Sequence, residues 1–174
     1  MTVKTNDNEI EIVWGKPYKL DMGPGNVPCL PKLLDDNDWE KIPEGHGVYF
    51  FARRHMTKDG HSYTVRYIGQ SENVRTRIKQ HLNNMELMLK LKHETRKGDK
   101  VLVVGELKHR LHRKEAGKKA AIKVVEKALI DKIIADQKGD YLFNKQGKKL
   151  DIHSISFSGS KVGKDIFGDK IQVS

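Results

Sequence analysis

Apolar residues change their period along the chain, and each change marks an element. Ile10, Ile12 and Trp14 alternate with Glu11 and Val13, a two-residue period that predicts a short strand. Asp21-Met22-Gly23-Pro24-Gly25-Asn26 predicts a turn, because glycine and proline supply backbone angles that other residues resist. Leu30 to Trp39 predicts a short helix with Pro31 in its first turn. From Gly47 the period is two again, with Val48, Phe50 and Ala52 on one face and Tyr49 and Phe51 on the other. Thr57-Lys58-Asp59-Gly60 holds the Asp-Gly pair of a hairpin turn. Tyr63, Val65 and Tyr67 are expected to share one face of the returning strand.

The period then lengthens to that of a helix. Val74, Ile78, Leu82, Met85 and Leu89 recur at steps of three and four, predicting a helix from about Val74 to Leu91. Asn73 is its expected N-cap, a role Ser71 could share. Arg77 and His81, four apart, stand one above the other on the flank of the stripe, partly shielded from water. Val101 to Val104 is a continuous apolar run, read as a buried central strand. Ile122, Val125, Leu129, Ile130 and Ile133 predict a second long helix from about Ala120 to Ala135. Glu126 falls within its apolar face, four residues from both Ile122 and Ile130; a carboxylate there is costly unless paired or bound to a cation. Ile152, Ile155 and Phe157 alternate roughly, so the tail either adds an edge strand or stays loose.

Composition narrows the class. A chain of 174 residues, 37% hydrophobic and 32% charged, reads as a single soluble domain with a core of its own. No apolar run approaches the roughly 20 residues that span a bilayer. The start, MTVKTNDNEI, lacks the charged-then-apolar pattern of a signal peptide. Cys29, the single cysteine, excludes an internal disulfide; a cytoplasmic location is expected. Asp35, Asp36 and Asp38 lack the spacing and glycine of a calcium loop and read as a solvated acidic turn or helix start. His109 and His112 have no cysteine or acidic partner for zinc. The net charge of +10 is uneven: residues 1–44 carry −4 and residues 75–119 carry +9. A polyanionic partner is the natural consequence, because neutralised phosphates release counterions. Lys90, Lys92, Arg96, Lys97, Arg110, Arg113, Lys114, Lys118 and Lys119 are candidate backbone contacts.

Gly47-Val48-Tyr49, then Tyr67-Ile68-Gly69, then Asn73-x-x-x-Arg77-x-x-x-His81 form an ordered set that resembles the GIY-YIG endonucleases. Glu126 and Asn144 stand where that family has its last two signature residues. The resemblance covers about residues 45–145. Val48 replaces the usual isoleucine, the hairpin is longer than usual at 18 positions from Tyr49 to Tyr67, and residues 85–119 form a basic expansion. The acidic extension at 1–44 and the tail at 146–174 match nothing in the family, and no second module is visible. The resemblance implies an α/β fold: a small three-stranded antiparallel sheet flanked by helices, here with N- and C-terminal extensions.

The resemblance also implies a chemistry, DNA phosphodiester hydrolysis with one Mg²⁺ or Mn²⁺ per site. Glu126 would be the only protein ligand of the ion. Tyr49 would act as general base or orient the attacking water, with a nearby cation such as Arg77 favouring its phenolate and His81 taking up its proton. Tyr67 would position water or phosphate, Arg77 would bind the scissile phosphate, and Asn144 would brace the site. A solitary chain with insertions leans toward a restriction-type double-strand cutter, which needs two sites and hence a homodimer on DNA. The alternatives are a non-catalytic nucleic-acid-binding module of the same fold, a phage, mobile-element or repair nicking nuclease, and an RNA-processing enzyme.

Overall fold

The computed structural model describes residues 9–23, 32–33, 36–93, 97–108, 115–137, 142–143 and 153–173. In chain order the strands and helices are β1 (Glu9–Trp14), β2 (Tyr18–Asp21), β3 (Lys32–Leu33), a 3-10 helix (Asp36–Lys41), β4 (Gly47–Thr57) and β5 (Gly60–Ser71). Then come α1 (Val74–Leu82), α2 (Met85–Lys92), β6 (Asp99–Lys108), α3 (Glu115–Gln137), β7 (His153–Gly159), α4 (Lys161–Phe167) and β8 (Lys170–Val173). Among the described residues no helix is long and apolar enough to cross a membrane.

The expected three-stranded antiparallel sheet is not what forms. Among the described residues seven strands build one mixed, curled sheet, and two-residue β3 adds to β2. β5, β4 and β6 are antiparallel neighbours within it. The far side of β6 is shared, Val101 and Leu102 pairing with β2 and Gly105 to Lys108 with β1. β1 pairs in parallel with β7, and β7 is antiparallel to β8. The physical reason is the length of β6: it continues four residues past the apolar run at 101–104, and that end accepts the amphipathic β1. Residues 153–173 of the tail are therefore neither loose nor a single edge strand, since β7 has a neighbour on each side.

One face of the sheet packs α3 and α4 through Val48, Phe50, Ala52, Ile68, Ile122, Val125, Leu129 and Phe167. The other packs α1 and α2 through Tyr49, Phe51, Val74, Ile78, Leu82, Met88 and Leu91. Trp14 ties both ends of the chain to the first core. Its ring lies 5.4 Å from Phe50, 5.7 Å from Phe167 and 6.1 Å from Phe157. The ring fits because Gly105 and Gly163 have no side chain; a Cβ at Gly163 would stand 2.1 Å from it. On the opposite side Arg75 fastens the residues after the 3-10 helix to α1. It donates to the Ile42 and Glu40 carbonyls at 2.8 and 3.1 Å, and to the Glu44 carboxylate at 2.7 Å.

Four local expectations need correction. Leu30 to Trp39 is not a helix; its described part holds β3 and the start of the 3-10 helix. The long helix at 74–91 is two helices, because Asn84 caps a new one by accepting from the Leu87 amide. The break changes the phase: Met85 is exposed, and Leu87, Met88 and Leu91 are buried instead. Tyr63 and Val65 do not share a face with Tyr67. The register slips between Phe51 and Ala52, where a bulge at Arg66 moves the two ends of β5 to opposite faces. α3 begins at Glu115, earlier than the period from Ala120 indicated. The turn at Asp59-Gly60 and the Asn73 cap, whose side chain accepts from the Thr76 amide at 3.0 Å, form as the sequence indicates.

Replacing Trp14 by alanine empties the centre of the aromatic cluster it forms with Phe50, Phe157 and Phe167. A loss of about 3–5 kcal/mol is expected, the usual cost of emptying a large aromatic site, measured by urea unfolding. A loss under about 1 kcal/mol, within the range of ordinary surface substitutions, contradicts this account of the core.

Candidate active site

Tyr49 and Tyr67 project from neighbouring strands to the same face, with ring centroids 6.4 Å apart and nearly parallel. Their glycines are part of the geometry. Gly69 is the cross-strand partner of Tyr49, and a Cβ on it would lie 2.5 Å from the Tyr49 hydroxyl. Gly47 lies so close to β6 and α1 that a Cβ would meet the Gly105 carbonyl at 2.3 Å and Val74 at 3.0 Å. One glycine thus seats the tyrosine, and the other lets the start of β4 approach its neighbours.

α1 delivers the next two groups. His81 is buried, its ring 5.1 Å from that of Tyr67 and 5.7 Å from that of Tyr49. Its Nε2 is 3.5 Å from the Tyr67 hydroxyl, and with the ring proton on Nδ1 it accepts from that hydroxyl. Arg77, one turn earlier, is exposed; its guanidinium donates to Gln80 at 3.0 Å and lies near the Tyr49 hydroxyl. α3 packs against β5 and brings Glu126 within electrostatic reach of both tyrosines and of Arg77. Tyr49, Tyr67, Arg77 and His81 therefore gather on one face of the sheet, and Glu126 acts on both tyrosines and on Arg77 through its charge from α3. Asn144 lies outside the described residues, although the Phe143 amide beside it donates to the Arg66 carbonyl on β5 at 2.7 Å.

Burial dominates the electrostatics. It holds the Tyr49 phenol well above its ordinary value, and the neighbouring Tyr67 adds to the rise; Arg77 opposes both without cancelling them. Tyr67 is raised by burial and then by the charge of Glu126. Both are neutral phenols at physiological pH, so the phenolate expected at Tyr49 is not the resting form. His81 is lowered to about 4, by burial first and then by Arg77, and is a neutral imidazole. Glu126 is raised by burial, with Arg77 and Lys123 pulling the other way.

Glu126 suits a hard cation. It is partly exposed, and among the described residues no cationic side chain is in ion-pair contact with its carboxylate. A magnesium ion that keeps most of its waters takes one or two carboxylates. No group of three or more His, Cys, Asp or Glu gathers among the described residues.

The basic candidates are dispersed. Lys118 and Lys119 lie on α3, where Lys119 pairs with Glu72 just before the α1 cap. Lys90 pairs with Glu86 on α2, where Lys92 is half-buried, and Lys97 is exposed before β6. Arg96, Arg110, Arg113 and Lys114 lie outside the described residues, as do His109 and His112. Sequence reasoning missed Lys123, whose charge acts on both Glu72 and Glu126. Its spacing was the available signal: four after Lys119 and three before Glu126, it shares their side of the helix.

Comparisons with protein-family models, curated proteins and solved structures return no match.

Two outcomes test the site. Gly69→Ala should displace the Tyr49 hydroxyl and cut activity at least about tenfold, the order of loss from small misplacement of a reacting group, while circular dichroism stays native. The second concerns His81. The unfolded chain takes its proton near pH 6.5 and the native chain only near 4, so the native state binds fewer protons between these values. This contribution to stability is complete above the upper value and is lost as pH falls toward the lower one. In denaturant unfolding across that range, His81→Asn should flatten the acid slope; an unchanged slope contradicts the neutral buried imidazole.

Proposed function

We propose that this chain is a divalent-metal-dependent endonuclease of GIY-YIG type that hydrolyses DNA phosphodiester bonds. The supporting observation is the gathering of Tyr49, Tyr67, Arg77 and His81 from a hairpin and a helix, with the Glu126 carboxyl on a second helix within electrostatic reach. Packing alone gives no reason for an exposed arginine to stand beside the Tyr49 hydroxyl with a partly buried carboxyl in electrostatic reach. A phosphodiester supplies the reason, since it needs a guanidinium for its oxygens, a water held for attack and a route for the proton.

Arg77 binds the scissile phosphate, where its planar fork matches two oxygens. The Tyr49 hydroxyl, being neutral, holds the attacking water by hydrogen bonding rather than as a preformed base. As the new P–O bond forms, the water proton passes to the tyrosine hydroxyls, and Tyr67 hands a proton on to Nε2 of His81. The P–O3′ bond breaks and the departing oxygen takes a proton from solvent. Glu126 would hold a magnesium or manganese ion, which would supply positive charge against the negative charge that develops as the phosphodiester is attacked. Each chain carries one such site, so one chain nicks one strand; a restriction-type double-strand break takes two chains on the DNA.

Glu126→Gln should abolish Mg²⁺-dependent cleavage of an oligonucleotide duplex while DNA affinity stays within about threefold, since a lost metal ligand leaves the phosphate-binding cations in place. Tyr49→Phe, which removes only the hydroxyl, should lower the single-turnover rate by about 10²–10⁴. Full cleavage by either variant removes that residue from the mechanism. Duplex binding by the wild type without cleavage in Mg²⁺ or Mn²⁺ would instead favour a binding module.

A further inference from the structure

The β4–β5 hairpin projects past the rest of the sheet. β4 runs to Thr57, but its pairing with β6 stops at Arg54. From His55 to Gly60 the two strands pair only with each other among the described residues. Met56 on this ribbon is 72% exposed, more than any other large apolar side chain among the described residues, and Lys58 and His61 are exposed beside it. At the base of the ribbon a cleft of about 340 Å³ opens toward the loop before β6, lined by Arg54, His55, Met56, His61, Lys97 and Asp99. Its lining is cationic. Asp99, the one carboxylate, is already paired with Arg54 at 2.7 Å and Lys19 at 2.9 Å. His55 Nδ1 and Arg54 Nε are enclosed without a hydrogen-bond partner, although buried polar atoms are ordinarily satisfied.

The geometry points to a second nucleic-acid contact: the hairpin tip enters a groove of duplex DNA, with Met56 against base edges and Arg54, His61 and Lys97 on flanking phosphates. A two-stranded ribbon is a shape the major groove admits, and an apolar tip between cations matches base edges between phosphates. His55 stands six strand positions beyond Tyr49, on the same face by alternation. That is about 20 Å at the usual strand rise, or about six base pairs of duplex. The contact rests on the proposed nuclease function for its ligand and adds what that function lacks, an element away from the scissile phosphate that reaches the bases.

The test uses the full chain carrying Glu126→Gln as parent, with His61→Ala plus Lys97→Ala, or Met56→Glu, added. Fluorescence anisotropy reads binding to duplexes of about 30 and about 8 base pairs over a salt series. Both additions should weaken the longer duplex about tenfold; loss of the Lys97 charge should lower the salt slope by about one, and the short duplex should bind all three proteins alike. These positions are exposed, and circular dichroism confirms folding. Parent-like affinity and slope in both variants overturn the hairpin contact, as does a parent that binds neither duplex. Wild-type cleavage, measured in parallel, separates the two proposals. Cleavage with unimpaired ribbon variants sinks the hairpin contact alone. Ribbon-dependent binding without cleavage supports the hairpin contact and sinks the nuclease.

Discussion

The Tyr49 hydroxyl sits where a side chain at residue 69 would be, and the rest of the site depends on that fit. Cross-strand pairing sets Gly69 opposite Tyr49, so the phenol can lie across β5 toward Tyr67 and His81 instead of standing off the sheet. Any side chain at 69 would push the hydroxyl out of reach. The bulge at Arg66 is the second requirement. Without it Tyr67 would fall in phase with Val65 on the α3 face, and the two tyrosines would be separated by the sheet.

Burial, more than charge, then sets the character of the site. The tyrosines and His81 are shielded and held neutral, so in the proposed reaction proton movement would begin from phenols and an imidazole rather than from ions. Charge is kept at the rim, on Arg77 and Glu126, which come from helices on opposite faces of the sheet. The larger sheet serves this arrangement indirectly. β1, β7 and α4 join the same core as α3 through Trp14, and α3 is the helix that carries Glu126.

Much of the site was legible because its signals are local. The hairpin turn and the Asn73 cap are set by a few neighbouring residues and form as expected, whereas of Arg77 and His81, both expected to be partly shielded, only His81 is buried and Arg77 is exposed. What escaped was long-range or subtle. The alternation in β1 and β7 was visible, but a parallel pairing between residues more than a hundred positions apart leaves no mark in either segment. The Arg66 bulge carries no glycine to announce it, so the face of Tyr63 and Val65 was misjudged. Asn83-Asn84 was a visible helix break, overridden by an apolar period that continued across it in the wrong phase. Glu126 stands out as a misfit in an apolar stripe, and the proposed function gives it the metal.

The most direct measurement is cleavage of supercoiled plasmid by the wild-type chain in Mg²⁺, with EDTA as control. The expected result is conversion to nicked or linear DNA that stops on chelation. Intact supercoiled plasmid after prolonged incubation with folded protein in both Mg²⁺ and Mn²⁺ would contradict a metal-dependent DNA-cutting site at Tyr49, Arg77 and Glu126.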